Sequence, residues 1–224
     1  MALICFDLDG TLVDPVEGVQ DCLRSTCEAF GLLCPDRDRI TGTIGLDLEV
    51  LFRELPNLRR REVMAHYWSL FGAVGVFDQR VQVGAHLMLA RLKRQGHRLI
   101  LVTNQSATLA RHTLHQFDLI LSFDDVVGLP PLASWQTKGE ILERLRRDGG
   151  LASGGYLVGD RADDMRAAQA HGLRAIGVSY GYGSLQELTA ANADCVLDSV
   201  PALDAWLEKE LKDPEIHDAF SRSE

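Results

Sequence analysis

Six short apolar runs constrain this chain more than any other feature: ALICF (2–6), HRLILVT (97–103), DDVVG (124–128), GYLVGD (155–160), RAIGVS (174–179) and DCVLD (194–198). They run without the polar–apolar alternation of a strand that has one face in water. Continuous runs are expected where both faces of a parallel sheet are covered. Between them, residues 83–96, 138–150, 161–172 and 183–193 carry helical patterns, and two of these end in glycine after a basic or His residue, a helix stop. Strand and helix alternate from residue 83 onward. This predicts an α/β fold built on a doubly wound parallel sheet.

Residues 15–80 break the rhythm. VEGVQDCLRSTCEAFGL (16–32), LDLEVLFREL (46–55) and LRRREVMAHYWSLFG (58–72) all read as helices, with no strand among them. Such a block is too long for an ordinary connection in an α/β sheet. The expected organisation is therefore an α/β core of residues 1–14 and 80–208, an inserted helical domain of 15–79, and a polar tail of 209–224. Pro15 and the stretch 76–84 are the expected crossing points. Met64, Tyr67, Trp68 and Phe71 fall at helical spacing and read as the core of the insert.

Composition narrows the partners. A formal charge of −9 argues against nucleic acid, which a protein meets with a basic face. The five cysteines form no C-x-x-C pair and suit the reducing cytoplasm. No cationic leader and no apolar stretch of membrane-spanning length is apparent, so no membrane role is expected.

Ligand sites in open α/β sheets lie beyond the carboxyl ends of the strands. At those ends this chain carries Asp7-Leu8-Asp9-Gly10-Thr11, then Thr103-Asn104, then Gly159-Asp160-Arg161-Ala162-Asp163-Asp164. Lys138 opens the helix before the GYLV strand. In an extended segment residues i and i+2 point the same way, so Asp7 and Asp9 can face one ligand. Two carboxylates that close repel, which favours a proton on one of them. Gly10 permits a sharp turn with amides available to a phosphate. Thr103 can equally cap the following helix. The pair Gly181 and Gly183 is too short a pattern to denote a nucleotide loop, and the histidines have no metal-ligand spacing.

DLDGT, the Thr-Asn pair, the downstream lysine and GDRADD resemble the four motifs of the haloacid-dehalogenase superfamily. The helical insert resembles the cap of its subfamily I. VSYGYGS (178–184) and NADCVLDSVPAL (192–203) resemble its phosphoglycolate-phosphatase-like members. The resemblance implies a hydrolase of small phosphorylated metabolites, with Asp7 as nucleophile and Asp9 as general acid and base. It implies Mg²⁺ held by Asp7, the Asp9 carbonyl and Asp160, with Asp164 bound directly or through water. Lys138, Thr103 and Asn104 would take phosphate oxygens, with Gly10 and Thr11 in the phosphate loop. By position, Thr43, Ile44 and Gly45 of the cap loop (39–49) would approach the leaving group. The first expected substrate is 2-phosphoglycolate, whose carboxylate would want a cation from Arg37, Arg39 or Arg53. The alternatives are a pyrophosphatase, a nucleotidase, a sugar-phosphate phosphatase or mutase, and a non-catalytic phosphate-binding regulatory protein.

Overall fold

The structure, a computed structural model, describes residues 1–129, 137–151 and 154–212; the expected tail past Lys212 lies outside them. Its strands are β1 (Leu3–Phe6), β2 (Val13–Asp14), β3 (Arg80–Val81), β4 (Arg98–Ser106), β5 (Asp125–Leu129), β6 (Tyr156–Gly159), β7 (Arg174–Val178) and β8 (Cys195–Leu197). The helices are α1 (Val16–Phe30), α2 (Arg37–Thr41), α3 (Asn57–Ala73), α4 (Ala85–Arg94), α5 (Ala107–Gln116), α6 (Lys138–Arg147), α7 (Ala162–Ala170), α8 (Leu185–Ala190) and α9 (Val200–Glu210).

The expected apolar runs make one sheet of order β5-β4-β1-β6-β7-β8, every neighbouring pair parallel. Side chains sort onto its two faces with period two. Ile4 and Phe6 of β1, Leu99 and Leu101 of β4, and Val158 of β6 pack against α4, α5 and α9. Leu3, Cys5, Ile100, Val102 and Leu157 pack on the other face against α6 and α7. Both residue parities are therefore buried, which is why the runs do not alternate. The chain moves outward from β1 through β4 to β5, then returns to β6 on the opposite side of β1. This reversal opens a crevice at the carboxyl ends of the central strands.

The helical block has its own core. Val19, Leu23 and Cys27 of α1 meet Val63, Met64, Tyr67 and Phe71 of α3, with Ile40, Ile44 and Leu51 filling between. Trp68 departs from the expected core set, being 39% exposed. The chain enters and leaves the block through β2 and β3, which pair antiparallel, Val13 with Val81 and Asp14 with Arg80.

Some elements differ from the sequence reading. The helix expected over 46–55 is only a 3₁₀ stretch, Leu48–Phe52. Asp47 accepts from the Glu49 amide at its start, and Pro56 bars the residue before it from continuing a helix. The expected cap loop contains most of α2, started by the Asp36 carboxylate accepting from Arg39 N. Helices α5 and α9 are additions, each started by a serine that caps its first turn, Ser106 and Ser199. Helix α9 also carries the chain through Glu210, the start of the expected tail.

Candidate active site

Strand β1 ends by donating the Asp7 amide to the Val158 carbonyl at 2.9 Å, which fixes Asp7 at the crevice. Its carboxylate Oδ1 lies 2.6 Å from the Lys138 ammonium, which also bonds Asp164 Oδ1. Lys138 is held at the first position of α6. Thr137 and Glu140 form a capping box there, and the Lys138 amide donates to Asp163 Oδ2 at 3.1 Å. Asp163 thus positions the lysine backbone.

Asp160 comes directly after β6 and is completely buried. Its Oδ2 accepts from the Tyr182 amide at 2.7 Å, while Oδ1 has no hydrogen-bond partner. Asp164 stands one turn along α7 and accepts from the Arg161 amide at 2.9 Å. Oxygens of Asp7, Asp160 and Asp164 all lie within 4.8 Å of one another. Lys138 forms ion pairs with two of these three buried carboxylates, Asp7 and Asp164. Burial, then Asp7 and Asp164, push Asp160 well above the usual carboxylate range. Burial likewise pushes Asp164 up to about 6 against the pull of Lys138. Burial alone would lower the Lys138 pKa, but Asp164 and Asp7 outweigh it and the net shift is upward. An all-oxygen donor set with excess negative charge and an orphaned Asp160 oxygen fits a hard divalent cation.

Asp9 stands apart from this trio. Its Oδ2 accepts from the Gln105 side-chain amide and its Oδ1 is unpartnered. Burial, then the neighbouring Asp7 charge, push Asp9 up to about 7. It can therefore carry a proton near neutrality where an exposed aspartate would not. Gln105 stands among the polar residues Thr103–Ser106 at the end of β4, but nothing in the local sequence pattern singles it out as the partner of Asp9.

Gly10 has φ +84°, and a Cβ there would fall 2.2 Å from Asp160 Oδ2. Its amide donates inward to Val13 O at 2.7 Å rather than outward as expected. Thr11 is fully buried, and its carbonyl accepts from the Tyr180 hydroxyl at 3.0 Å. Both residues brace the loop, and the Thr11 hydroxyl oxygen is buried with no hydrogen-bond partner. Thr103 Oγ1 accepts from the Gln105 amide at 3.1 Å; the helix cap is Ser106, not Thr103. Asn104 donates to Gly45 O at 3.2 Å, joining β4 to the helical block.

The glycine pair after β7 has a definite task. A Cβ at Gly181 would meet Asp160 Cβ at 2.4 Å, and one at Gly183 would meet the Asp160 carbonyl at 1.9 Å. Only glycine lets this loop close on Asp160 and aim the Tyr182 amide at it. The Tyr182 hydroxyl in turn donates to the Asp14 carboxylate on β2.

Ile44 and Gly45 line a cleft that opens beside Asp9, whereas the Thr43 hydroxyl turns away to donate to Arg39 O at 2.6 Å. None of the expected arginines lines it. Arg37 pairs with Glu17 at 3.5 Å and Arg53 with its neighbour Glu54 at 3.3 Å. The guanidinium that touches the cap loop from the core belongs instead to Arg161, which reaches Gly42 O at 3.4 Å and Glu187 at 3.4 Å.

Residues 4–178 match the family described as haloacid dehalogenase-like hydrolase. A 5'-nucleotidase of Pseudomonas aeruginosa is 33% identical over 191 residues, 84% of this chain and 86% of that protein. A phosphoglycolate phosphatase of Cupriavidus necator is 31% identical over 219 residues, 91% of this chain and 92% of that protein. The crystal structure of a predicted phosphatase from Clostridium acetobutylicum superposes with a TM-score of 0.85 at 28% identity, covering 93% of this chain and 98% of that one. The chain belongs to the haloacid dehalogenase-like hydrolase family, and it is a phosphoric monoester hydrolase.

Proposed function

We propose that this haloacid dehalogenase-like hydrolase cleaves the phosphate monoester of a small metabolite through an aspartyl-phosphate on Asp7, with Mg²⁺ as cofactor. The observation that carries the reading is the buried trio Asp7, Asp160 and Asp164 around Lys138. When bound by these carboxylates and the Asp9 carbonyl, Mg²⁺ neutralises phosphate oxygens and lets an anionic nucleophile approach.

Each residue has its own part in the reaction. An Asp7 carboxylate oxygen attacks phosphorus as the ester oxygen departs, and Asp9 gives that oxygen a proton. Asp9, now ionised, takes a proton from the water that attacks the phosphorus of the acyl phosphate. Phosphate leaves and Asp7 is regenerated. Lys138 orients Asp7 and neutralises charge on the transferring group. The Thr103 hydroxyl and Asn104 amide bind phosphate oxygens. Gln105 steadies Asp9 in the orientation both proton transfers need. The helical block of residues 15–79 acts as a lid on the core of 1–14 and 80–208, excluding bulk water during the first step.

The names borne by the two relatives supply the esters to try first, 2-phosphoglycolate and nucleoside 5'-monophosphates. The free cysteines suit a cytoplasmic setting, and no helix among the described residues is long and apolar enough to cross a membrane. Phosphate release with Mg²⁺ at pH 7–8, compared with Asp7→Asn, tests the mechanism. Turnover should disappear in the variant while its circular dichroism stays that of wild type. Retained turnover would refute Asp7 as nucleophile.

A further inference from the structure

The loop of the helical block, residues 39–49, rests on the core at two backbone carbonyls. Gly45 O accepts from the Asn104 side chain of β4 at 3.2 Å. Gly42 O accepts from Nη2 of Arg161, the residue before α7, at 3.4 Å. Gly45 also rides on the stem of that arginine. Its φ is +80°, and a Cβ built there would lie 3.3 Å from Arg161 Cγ.

Glu187, in the first turn of α8, holds Arg161 from the core side. Its Oε1 lies 3.4 Å from Arg161 Nε and also accepts from the Ala162 amide at 2.8 Å, so the acid is fixed independently of the guanidinium. The two partners of Arg161 are therefore unlike. One is a carboxylate that belongs to the core, and the other is a neutral carbonyl that belongs to the helical block. Both contacts exceed the usual range of about 2.7–3.2 Å, and Nε has no hydrogen-bond partner although Arg161 is buried. A contact that tied the two halves together permanently would be short and fully paired. This one can release its outer side cheaply. If the loop lifts, Arg161 keeps its counter-charge and gains water, so no charge is stranded.

We propose that Arg161, anchored by Glu187, is the latch that holds this loop down on the core. The inference rests on the lid reading above and names the residues that work the lid. Neither Arg161 nor Glu187 belongs to the carboxylate trio or lines the cleft beside Asp9, so both act by positioning. With the loop down, Ile44 and Gly45 stand beside Asp9. A bound ester escapes only when the loop lifts. Weakening the latch therefore raises KM and leaves kcat nearly unchanged, the signature of lost binding rather than lost chemistry. Arginine suits the task because its planar fork offers Nε to the acid and Nη2 to the carbonyl at once. Lysine presents a single point and cannot hold both.

Amide hydrogen exchange of the full chain in Mg²⁺ buffer, followed by mass spectrometry, reads the latch without turnover. The amides of Gly42, Thr43, Ile44 and Leu46 all bond within the loop and its flanking turn. In Arg161→Gln they should exchange at least about tenfold faster, the loss of one hydrogen bond to a charged group. Peptides from α1, α3 and the sheet should keep wild-type rates. Arg161→Lys should fall between the two. Glu187→Gln keeps an acceptor for the Ala162 amide and should loosen the same loop. Kinetics follow with 2-phosphoglycolate or a nucleoside 5'-monophosphate, whichever has the higher kcat/KM. Arg161→Gln should raise KM about tenfold and leave kcat within about twofold. Faster exchange spread evenly over the helical block would trace the change to stability and overturn the latch, as would wild-type exchange in the loop. A fall in kcat at unchanged KM would place Arg161 in the chemistry and overturn it too. Selective loosening of the loop in a protein that releases phosphate from no ester would uphold the latch and refute the reaction proposed above.

Discussion

Replacing Lys138 with methionine keeps an unbranched side chain of similar size and deletes the cation in contact with Asp7 and Asp164. The site is only 2% exposed, so water cannot substitute for the lost ammonium. Breaking a buried ion pair by removing one partner costs about 3–5 kcal/mol. For a chain of this length, that lowers the melting temperature by roughly 6–20 °C. The carboxylates can escape by binding protons, and this sets the pH dependence. An aspartate whose folded pKa lies above its unfolded value weakens the fold progressively as pH rises from the unfolded value through the folded one. Asp164 already stands at about 6 beside Lys138 and moves higher without it. Each proton kept by the folded but not the unfolded chain gives a slope of about 1.4 kcal/mol per pH unit. The penalty of Lys138→Met should therefore be small near pH 5 and largest near pH 8. Urea unfolding in EDTA at several pH values measures it. Millimolar Mg²⁺ should then restore more stability to the variant at pH 8 than to wild type. A penalty that is flat with pH and indifferent to Mg²⁺ would trace the loss to packing and refute the charge-balance argument.

Removing divalent ions with EDTA should abolish phosphate release and Mg²⁺ should restore it; full activity in the chelator would defeat the carboxylate trio as a cation site. If Asp9 donates a proton in the first step as proposed, kcat/KM should fall as pH rises through its ionisation, near the value of about 7 to which burial pushes it. Gln105→Leu removes a hydrogen bond that favours the charged form, so that alkaline limb should move to higher pH; an unmoved limb would free Gln105 from this role. Gly183→Ala places a methyl 1.9 Å from the Asp160 carbonyl. It should cost at least about 1–3 kcal/mol in denaturant unfolding and weaken Mg²⁺ affinity in calorimetry, whereas a wild-type affinity would detach this loop from Asp160.

What could be read from the sequence divides along physical lines. The sheet was legible because both faces of its strands are buried, and that leaves uninterrupted apolar runs. The acids were legible because they stand at strand ends, where an open α/β sheet gathers its ligands. Helices α5 and α9 were obscured because each comes directly after a strand-like stretch, and a single capping serine is a weak mark. The 3₁₀ turn at Leu48–Phe52 has helical patterning that Pro56 cuts short. Gln105, Tyr182 and Arg161 act across large sequence separations, Gln105 reaching Asp9 and Tyr182 reaching both Asp160 and Asp14. Such pairings depend on the sheet order, which no local window contains. Trp68 shares the helical period of its buried neighbours, and periodicity alone could not tell a core wall from a cleft wall.

The antiparallel pairing of Val13 with Val81 has a meaning for how such a chain can change over generations. Residues that enter and leave the helical block sit opposite one another, about 4.5–5.5 Å apart as paired strand residues are. The block is thus a detour that starts and finishes at the same spot. A shorter, longer or wholly different detour can be spliced between those two residues without moving β1 or the acids at its end. Nature, or an engineer, can exchange the helical block while the sheet and the acids at its edge are inherited intact.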